Sequence, residues 1–404
     1  MIKNSDIYNQ VILEIVAKVK DETNGIEKSD KLEYIENLLF ESEYIDDIDA
    51  GDIYRLIDDI LLRVNSKYGI LEPLLNDEKI NEIMVNGPFD IFIEKNGEIS
   101  EAINRFLSEK ELEDMIRLFA SDVHREINEV NPIVDARLEN GFRVNGVLKS
   151  VALNGPILTI RKFNKNSITM NQLIEFNTLT CDCANFLEKI VKSRYNIMIS
   201  GSTSSGKTTF LNALAGFVDK EKERIIVIED SAELKIENIN NVVHMECKSS
   251  NSVGKGAVNM SMLIKTSLRM RPDRIIVGEV RGDEIKDMIQ AMSTGHSGSM
   301  STGHASSAMG MLNRLEAMYL MSLDIPLISI KKQIADSLEI LIHLERDGKG
   351  RRKVVEVVEL VDLENDDYIT NVMYETSEEG VLVKTENDLK NDDKLKKWAQ
   401  SDRL

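Results

Sequence analysis

Apolar residues recur at helical spacing in three stretches near the start of the chain. Ile7, Val11, Ile12, Ile15, Val16 and Val19 do so within residues 6–20, and Leu32, Ile35, Leu38 and Leu39 within 28–41. Ile53, Leu56, Ile57, Ile60 and Leu61 repeat the pattern within 51–67. A 3.6-residue period of this kind predicts short amphipathic helices that bury one face against each other, a small bundle over residues 1–68. From Leu71 the pattern shortens. Ile83-Met84-Val85 and Ile91-Phe92-Ile93 are strand-sized runs around Asn86-Gly87-Pro88, followed by a second turn at Lys95-Asn96-Gly97-Glu98. A helix is expected over 109–123, then short strands over 131–163 broken by Asn140-Gly141 and Asn154-Gly155-Pro156. The reading is an α+β domain over 69–163.

The polar run Asn164-Lys165-Asn166-Ser167 opens an expected linker over 164–172. Beyond it, apolar runs predict strands at Asn196–Ser200, Arg224–Asp230, Asn241–Glu246, Arg274–Glu279, Gly298–Thr302 and Glu339–Leu344, with helical segments between several of them. Strands alternating with helices imply a parallel sheet covered by helices, hence an α/β domain over 173–375. Residues 376–404 read as a polar tail.

Composition narrows the class. The 42% hydrophobic and 29% charged residues suit soluble globular domains, and 404 residues exceed one ordinary core. No apolar run nears the ~20 residues that span a bilayer, and the N-terminus lacks a basic-then-apolar signal, so a cytoplasmic protein is expected. Cys181, Cys183 and Cys247 are too few and wrongly spaced for a disulfide framework or a four-ligand metal site. The net charge is −19, with −8 on residues 1–70 and −5 on 344–404. Such a surface repels polyanions, which argues against nucleic acid as the substrate.

One string carries most of the chemistry. Gly201-Ser202-Thr203-Ser204-Ser205-Gly206-Lys207-Thr208 is a complete G-x-x-x-x-G-K-[ST], preceded by the apolar run from Asn196 and followed, from Thr209, by a helical pattern. Glycines let the backbone curl so that successive N–H groups face phosphate oxygens at the positive end of a helix. Lys207 is expected to reach the β- and γ-phosphates of ATP, and Thr208 to ligate Mg²⁺. A phosphate site also needs acids. Arg274–Glu279 is a buried strand ending in a carboxylate, which makes Glu279 the expected group for orienting or deprotonating water. A second strand ends in Glu229-Asp230, expected near Mg²⁺, with Glu229 also counted among the catalytic groups. Thr294–Ala305 gathers His296 and His304, two of five histidines, among small residues that suit a loop sensing the γ-phosphate. His304 is assigned to catalysis and His296 to nucleotide contact. Upstream, Arg137, Arg143 and Arg161 supply cations of the kind that meet phosphoryl-transfer charge from a neighbouring domain or subunit.

The ordered boxes resemble the secretion and pilus-assembly ATPases of the type II/type IV superfamily, most closely the CpaF-like branch of Tad/Flp-type pili. The likeness rests on 201–208, the acidic box Ile228-Glu229-Asp230-Ser231-Ala232-Glu233-Leu234, the segment Leu268–Gly282 and the histidine box 294–305. It extends upstream through Asn81–Pro88, Arg143-Val144-Asn145 and Leu158–Phe163. The resemblance implies a RecA-like ATPase domain preceded by a PAS-like α+β domain and the helical bundle, a homohexameric ring, Arg137 and Arg143 approaching the phosphates, and work done on an inner-membrane platform protein. Ser261-Met262 stands where an Arg-Asp pair is usual, Asp283 replaces a glycine, and Gly303 replaces an aliphatic residue. A RecA-like nucleic-acid translocase is the alternative with the same loop and ring.

Overall fold

The computed structural model describes residues 5–22, 28–95, 98–162, 167–236, 239–248, 256–321, 325–348 and 350–401. They form two units, Met1–Lys165 and Asn166–Leu404.

In the first unit, α1 (Ser5–Glu22), α2 (Lys28–Phe40) and α3 (Ala50–Asn65) follow the apolar period. Val11, Ile12, Ile15, Ile35, Leu39, Leu56 and Ile60 meet in a core of their own. Each such side chain taken from water contributes about 1.5–3 kcal/mol. A second core lies beneath an antiparallel sheet. It is reached through α4 (Glu72–Asn76), β1 (Ile80–Asn86), β2 (Ile91–Lys95), β3 (Glu98–Glu101), α5 (Glu109–Asp122), β4 (Ile133–Arg137), β5 (Arg143–Val147) and β6 (Ile157–Arg161). The strand order is β3-β2-β1-β6-β5-β4, and α5 packs Leu112, Ile116 and Phe119 into this core. Although the sequence reads as bundle plus separate domain, the two cores are tied. Arg63 at the end of α3 is buried and donates to Glu111 Oε1 (2.9 Å) and to the Arg105 carbonyl (2.9 Å).

The second unit begins earlier than the expected linker allows. Residues 164–166 lie outside the described residues, but Thr169 caps α6 (Met170–Glu175) in a capping box with Gln172, and Met170 and Leu173 are buried. There follow α7 (Cys181–Lys192), β7 (Ile197–Gly201), α8 (Lys207–Ala215), β8 (Ile225–Glu229), β9 (Val242–Glu246), α9 (Met260–Ser267), β10 (Arg274–Val277), α10 (Ile285–Ser293), β11 (Met300–His304), α11 (Ala308–Leu320), α12 (Leu327–Ser337) and β12 (Ile340–Arg346). The hairpin β13 (Arg352–Glu364) and β14 (Asp367–Thr376), β15 (Leu382–Lys384) and α13 (Asp393–Ser401) complete it. The sheet order is β15-β14-β13-β12-β7-β11-β10-β8-β9, parallel from β12 through β9 and antiparallel from β12 to β15.

Near-continuous apolar runs are what a two-faced parallel sheet requires. In β7, Ile197 and Ile199 point into one core and Met198 into the other; β8 and β10 divide their side chains the same way. The expected polar tail is instead part of the fold. Glu359 on β13 is buried and accepts the backbone N–H groups of Lys390 (2.9 Å) and Asn391 (2.7 Å). Tyr195 Oη donates to the Asn391 carbonyl (2.6 Å), and Lys394 on α13 pairs with Glu339 (2.6 Å). Polar residues read as solvated because their partners lie up to 200 positions away.

Candidate active site

The C-terminal ends of β7, β11, β10 and β8 are brought level by register: Gly201 faces His304, and Val277 lies between Ser301 and Ile228. Groups just beyond these strand ends therefore converge at the place where open parallel sheets present ligand sites.

The loop 202–206 leaves β7 and enters α8. Ser204 (φ 61°) and Gly206 (φ 92°) take the left-handed conformation that curls it. Gly206 caps α8 with no side-chain acceptor, so the first N–H groups of the helix are open to an anion. A side chain at Gly201 would collide with the Leu344 carbonyl and Ser205 Oγ. Lys207 is buried and arches back over its own loop, donating to the carbonyls of Gly201 (3.1 Å) and Ser202 (2.8 Å). Burial lowers its pKa, with the carboxylate of Glu279 opposing that shift.

Lys207 Nζ also lies 3.2 Å from His304 Nδ1, and His304 Nε2 lies 2.7 Å from Glu279 Oε1. Arg281 donates to Glu279 Oε2 (2.6 Å). Burial pushes the His304 pKa below its usual value, outweighing the Glu279 charge. A neutral ring accepting from the ammonium at Nδ1 carries its proton on Nε2, toward Glu279. The approach is oblique to that N–H, and Glu279 Oε1 is buried without an aligned hydrogen-bond donor. The result is a chain from phosphate-loop cation to imidazole to carboxylate.

Glu229 is buried, and its Oε1 accepts from the N–H groups of Glu233 (2.7 Å) and Leu234 (2.9 Å). This geometry fixes the turn after β8. Asp230 beside it is exposed, and its charge acts on Arg281. Among the described residues no cluster of three or more His, Cys, Asp or Glu forms a metal cage. A Mg²⁺ arriving with nucleotide needs none, since phosphates, waters, the Thr208 hydroxyl and one carboxylate suffice.

The histidine box does not form the expected sensing loop. Residues 300–304 are a central strand, with Thr302 Oγ1 donating to the Gly278 carbonyl (2.7 Å). His296 lies before that strand and contacts the Ala291 carbonyl (3.3 Å). The strand alone sets it roughly 13 Å or more from the phosphate loop, beyond the N-terminal ends of the parallel strands. Its expected nucleotide contact is corrected on that ground. Gly303 has a plain reason: a side chain there would strike Met311 Sδ and Cε. Ser261, where an arginine was usual, is buried and bonds Asp287.

In the first unit, Arg137 pairs across strands with Arg143, and Arg143 with Arg161. Cross-strand partners share a face, so the three arginines form one row, a like-charge arrangement that favours an anion. Two further features escaped the sequence reading. A cavity of ≈ 220 Å³ beside the phosphate loop is lined by Leu173, Phe176, Thr209, Phe210, Leu344 and Arg352, among others. Ser200, at the end of β7, meets the buried His343 of β12 at Nδ1 (2.8 Å). Cross-strand partners of this kind carry no local sequence signal. The basic cluster Arg346, Arg351, Arg352 and Lys353 in an acidic C-terminal region was the available clue to the first.

A curled phosphate-loop motif at a parallel strand end, backed by a lysine–histidine–glutamate chain, defines the class as an α/β protein of the phosphate-loop kind. The chain belongs to the family described as type II/IV secretion system protein, which it matches over residues 65–364. It is 42% identical over 245 residues to an uncharacterized protein of Methanocaldococcus jannaschii, covering 59% of this chain but only 34% of that relative's length. Conjugal transfer protein TrbB of Rhizobium radiobacter is 32% identical, over 73% of this chain and 88% of TrbB. The crystal structure of the pilus retraction motor PilT with bound ADP shares the fold, with TM-score 0.53 and 18% identity over 83% of this chain and 88% of that one. No helix among the described residues is long and apolar enough to cross a membrane.

Proposed function

We propose that the chain binds ATP with Mg²⁺ at Gly201–Thr209 and hydrolyses it, as the motor subunit of a pilus or secretion system of the CpaF-like, Tad-type branch. The observation that carries this reading is the chain Lys207–His304–Glu279 at the strand ends beside the loop. Water oriented by the Glu279 carboxylate attacks the γ-phosphorus while the bond to the β,γ-bridging oxygen breaks. The leaving group is ADP, and the water proton passes to the carboxylate and then to solvent. Arg281 holds the other carboxylate oxygen, and His304 keeps the carboxylate in register with Lys207. Thr208 and Asp230 would hold Mg²⁺, which would supply charge neutralisation at the phosphate oxygens when bound. Glu229 acts by fixing the turn that carries Asp230.

Strand order orients the nucleotide. β7 lies between β11, on the Glu279 side, and β12, on the cavity side. The γ-phosphate is read on the first side and the nucleoside on the second, in the cavity beside Thr209. The arginine row at 137, 143 and 161 is the cationic face that a neighbouring copy in a ring would bring to the transferring phosphate. A platform protein at the inner face of the membrane is the partner that the family relationship supports.

Phosphate release from ATP and Mg²⁺ tests the reading, alongside binding to Lys207→Ala. Turnover by the unaltered chain, with ATP affinity reduced at least tenfold in the variant, is expected. Equal affinity for both proteins would remove Lys207 from the site. Light scattering with nucleotide present tests the ring, and full activity from a strict monomer would exclude it.

A further inference from the structure

The β12–β13 hairpin carries a cation whose chemistry the hydrolytic site does not use. Arg352, the first residue of β13, lays its aliphatic stem across Gly206, where an added Cβ would meet Arg352 Cδ at 3.0 Å. Its Nε donates to the Ser204 carbonyl (3.1 Å), so the guanidinium is anchored on the phosphate loop by one of its donors. The same side chain lines the cavity opposite Leu173 and Phe210, next to Thr209.

Its neighbours on the hairpin are already engaged. Arg351 pairs with Asp347 (2.7 Å), and Lys353 donates to the Gly380 carbonyl (2.8 Å). In a protein with 69 acidic and 50 basic residues, no carboxylate among the described residues pairs with the Arg352 guanidinium. An anchored guanidinium with open Nη donors beside a helix N-terminus is preorganised for an oxyanion. An oxyanion within its reach lies on the β12 side of the loop, away from Lys207 and Glu279. That is the α-phosphate end of a nucleotide whose nucleoside enters the cavity.

We propose that Arg352 binds the α-phosphate of the nucleotide in cis, acting as a clamp between the β12–β13 hairpin and the phosphate loop. The inference rests on the nucleotide reading above. It differs in predicting which phosphate the residue touches.

The test is the affinity of the full chain for ATP, ADP, AMP and adenosine, measured for the unaltered protein, Arg352→Ala, Arg352→Lys and Lys353→Ala. A charge-assisted contact to the α-phosphate predicts that Arg352→Ala weakens ATP, ADP and AMP by the same factor, about tenfold or more. Adenosine binding is unchanged, and the phosphate-dependent affinities of Arg352→Lys fall between. Lys353→Ala, which removes a neighbouring charge already bonded elsewhere, binds all four normally. If ADP weakens while AMP does not, Arg352 only braces the loop and the proposal fails. Unchanged affinities in Arg352→Ala overturn it as well. Failure of the unaltered protein to bind ATP would instead sink the nucleotide reading itself.

Discussion

At the residue scale, the site sets buried, partnered polar groups beside exposed ones such as Asp230 and Arg281. Lys207, Glu229 and His343 are each buried against a specific partner, and such groups are costly to strand. Glu359 shows the same rule away from the site. Its carboxylate receives two backbone N–H groups and the Asn371 side-chain amide (2.8 Å). Glu359→Leu leaves those donors buried and unpaired, so a loss of about 1–3 kcal/mol is expected. Urea unfolding of the second unit's signal measures it, and an unchanged midpoint would show that the segment after β15 is not held there. Residue identity made the phosphate loop legible, because glycine, lysine and threonine at fixed spacing have few other uses. Arg352 and Glu359 were not legible, since their partners lie 148 and about 30 positions away.

At the element scale, periodicity predicted most helices and parallel strands to within a few residues. The three N-terminal helices and β7, β8 and β10 bury most of the residues their patterns marked, with Leu32 of α2 left exposed. Two readings failed for a shared reason. The histidine box and the C-terminal segment are rich in small or polar residues, which locally favour loops. Pairing to β7 and β10 makes a strand of one, and capping by Glu359 and Glu339 orders the other. Strand placement also sets a pH dependence. His343 of β12 is buried, which pushes its pKa below the ordinary 6.5. The unfolded chain takes up that proton first, so stability is full above about pH 6.5 and declines as pH falls. The histidine adds at most about 1.4 kcal/mol per pH unit to the slope. Thermal unfolding between pH 7 and 5.5 should therefore flatten in His343→Asn, which keeps a polar atom near Ser200 Oγ. An identical slope in both proteins would show that His343 does not titrate in this range.

At the scale of the molecule, the two units divide the chemistry. The second holds the loop, the acids and the cavity, and the first holds the arginine row at 137, 143 and 161. A net charge of −19 repels a polyanion, which argues against translocation along nucleic acid. The claim on which everything else depends is that Glu279 drives hydrolysis of a nucleotide held by the loop. Single-turnover hydrolysis of ATP by Glu279→Gln, with ATP binding measured on the same sample, tests it most directly. Binding within about threefold of the unaltered protein and hydrolysis slowed by about 10²–10⁴ are expected. Hydrolysis at the normal rate in that variant would contradict the claim.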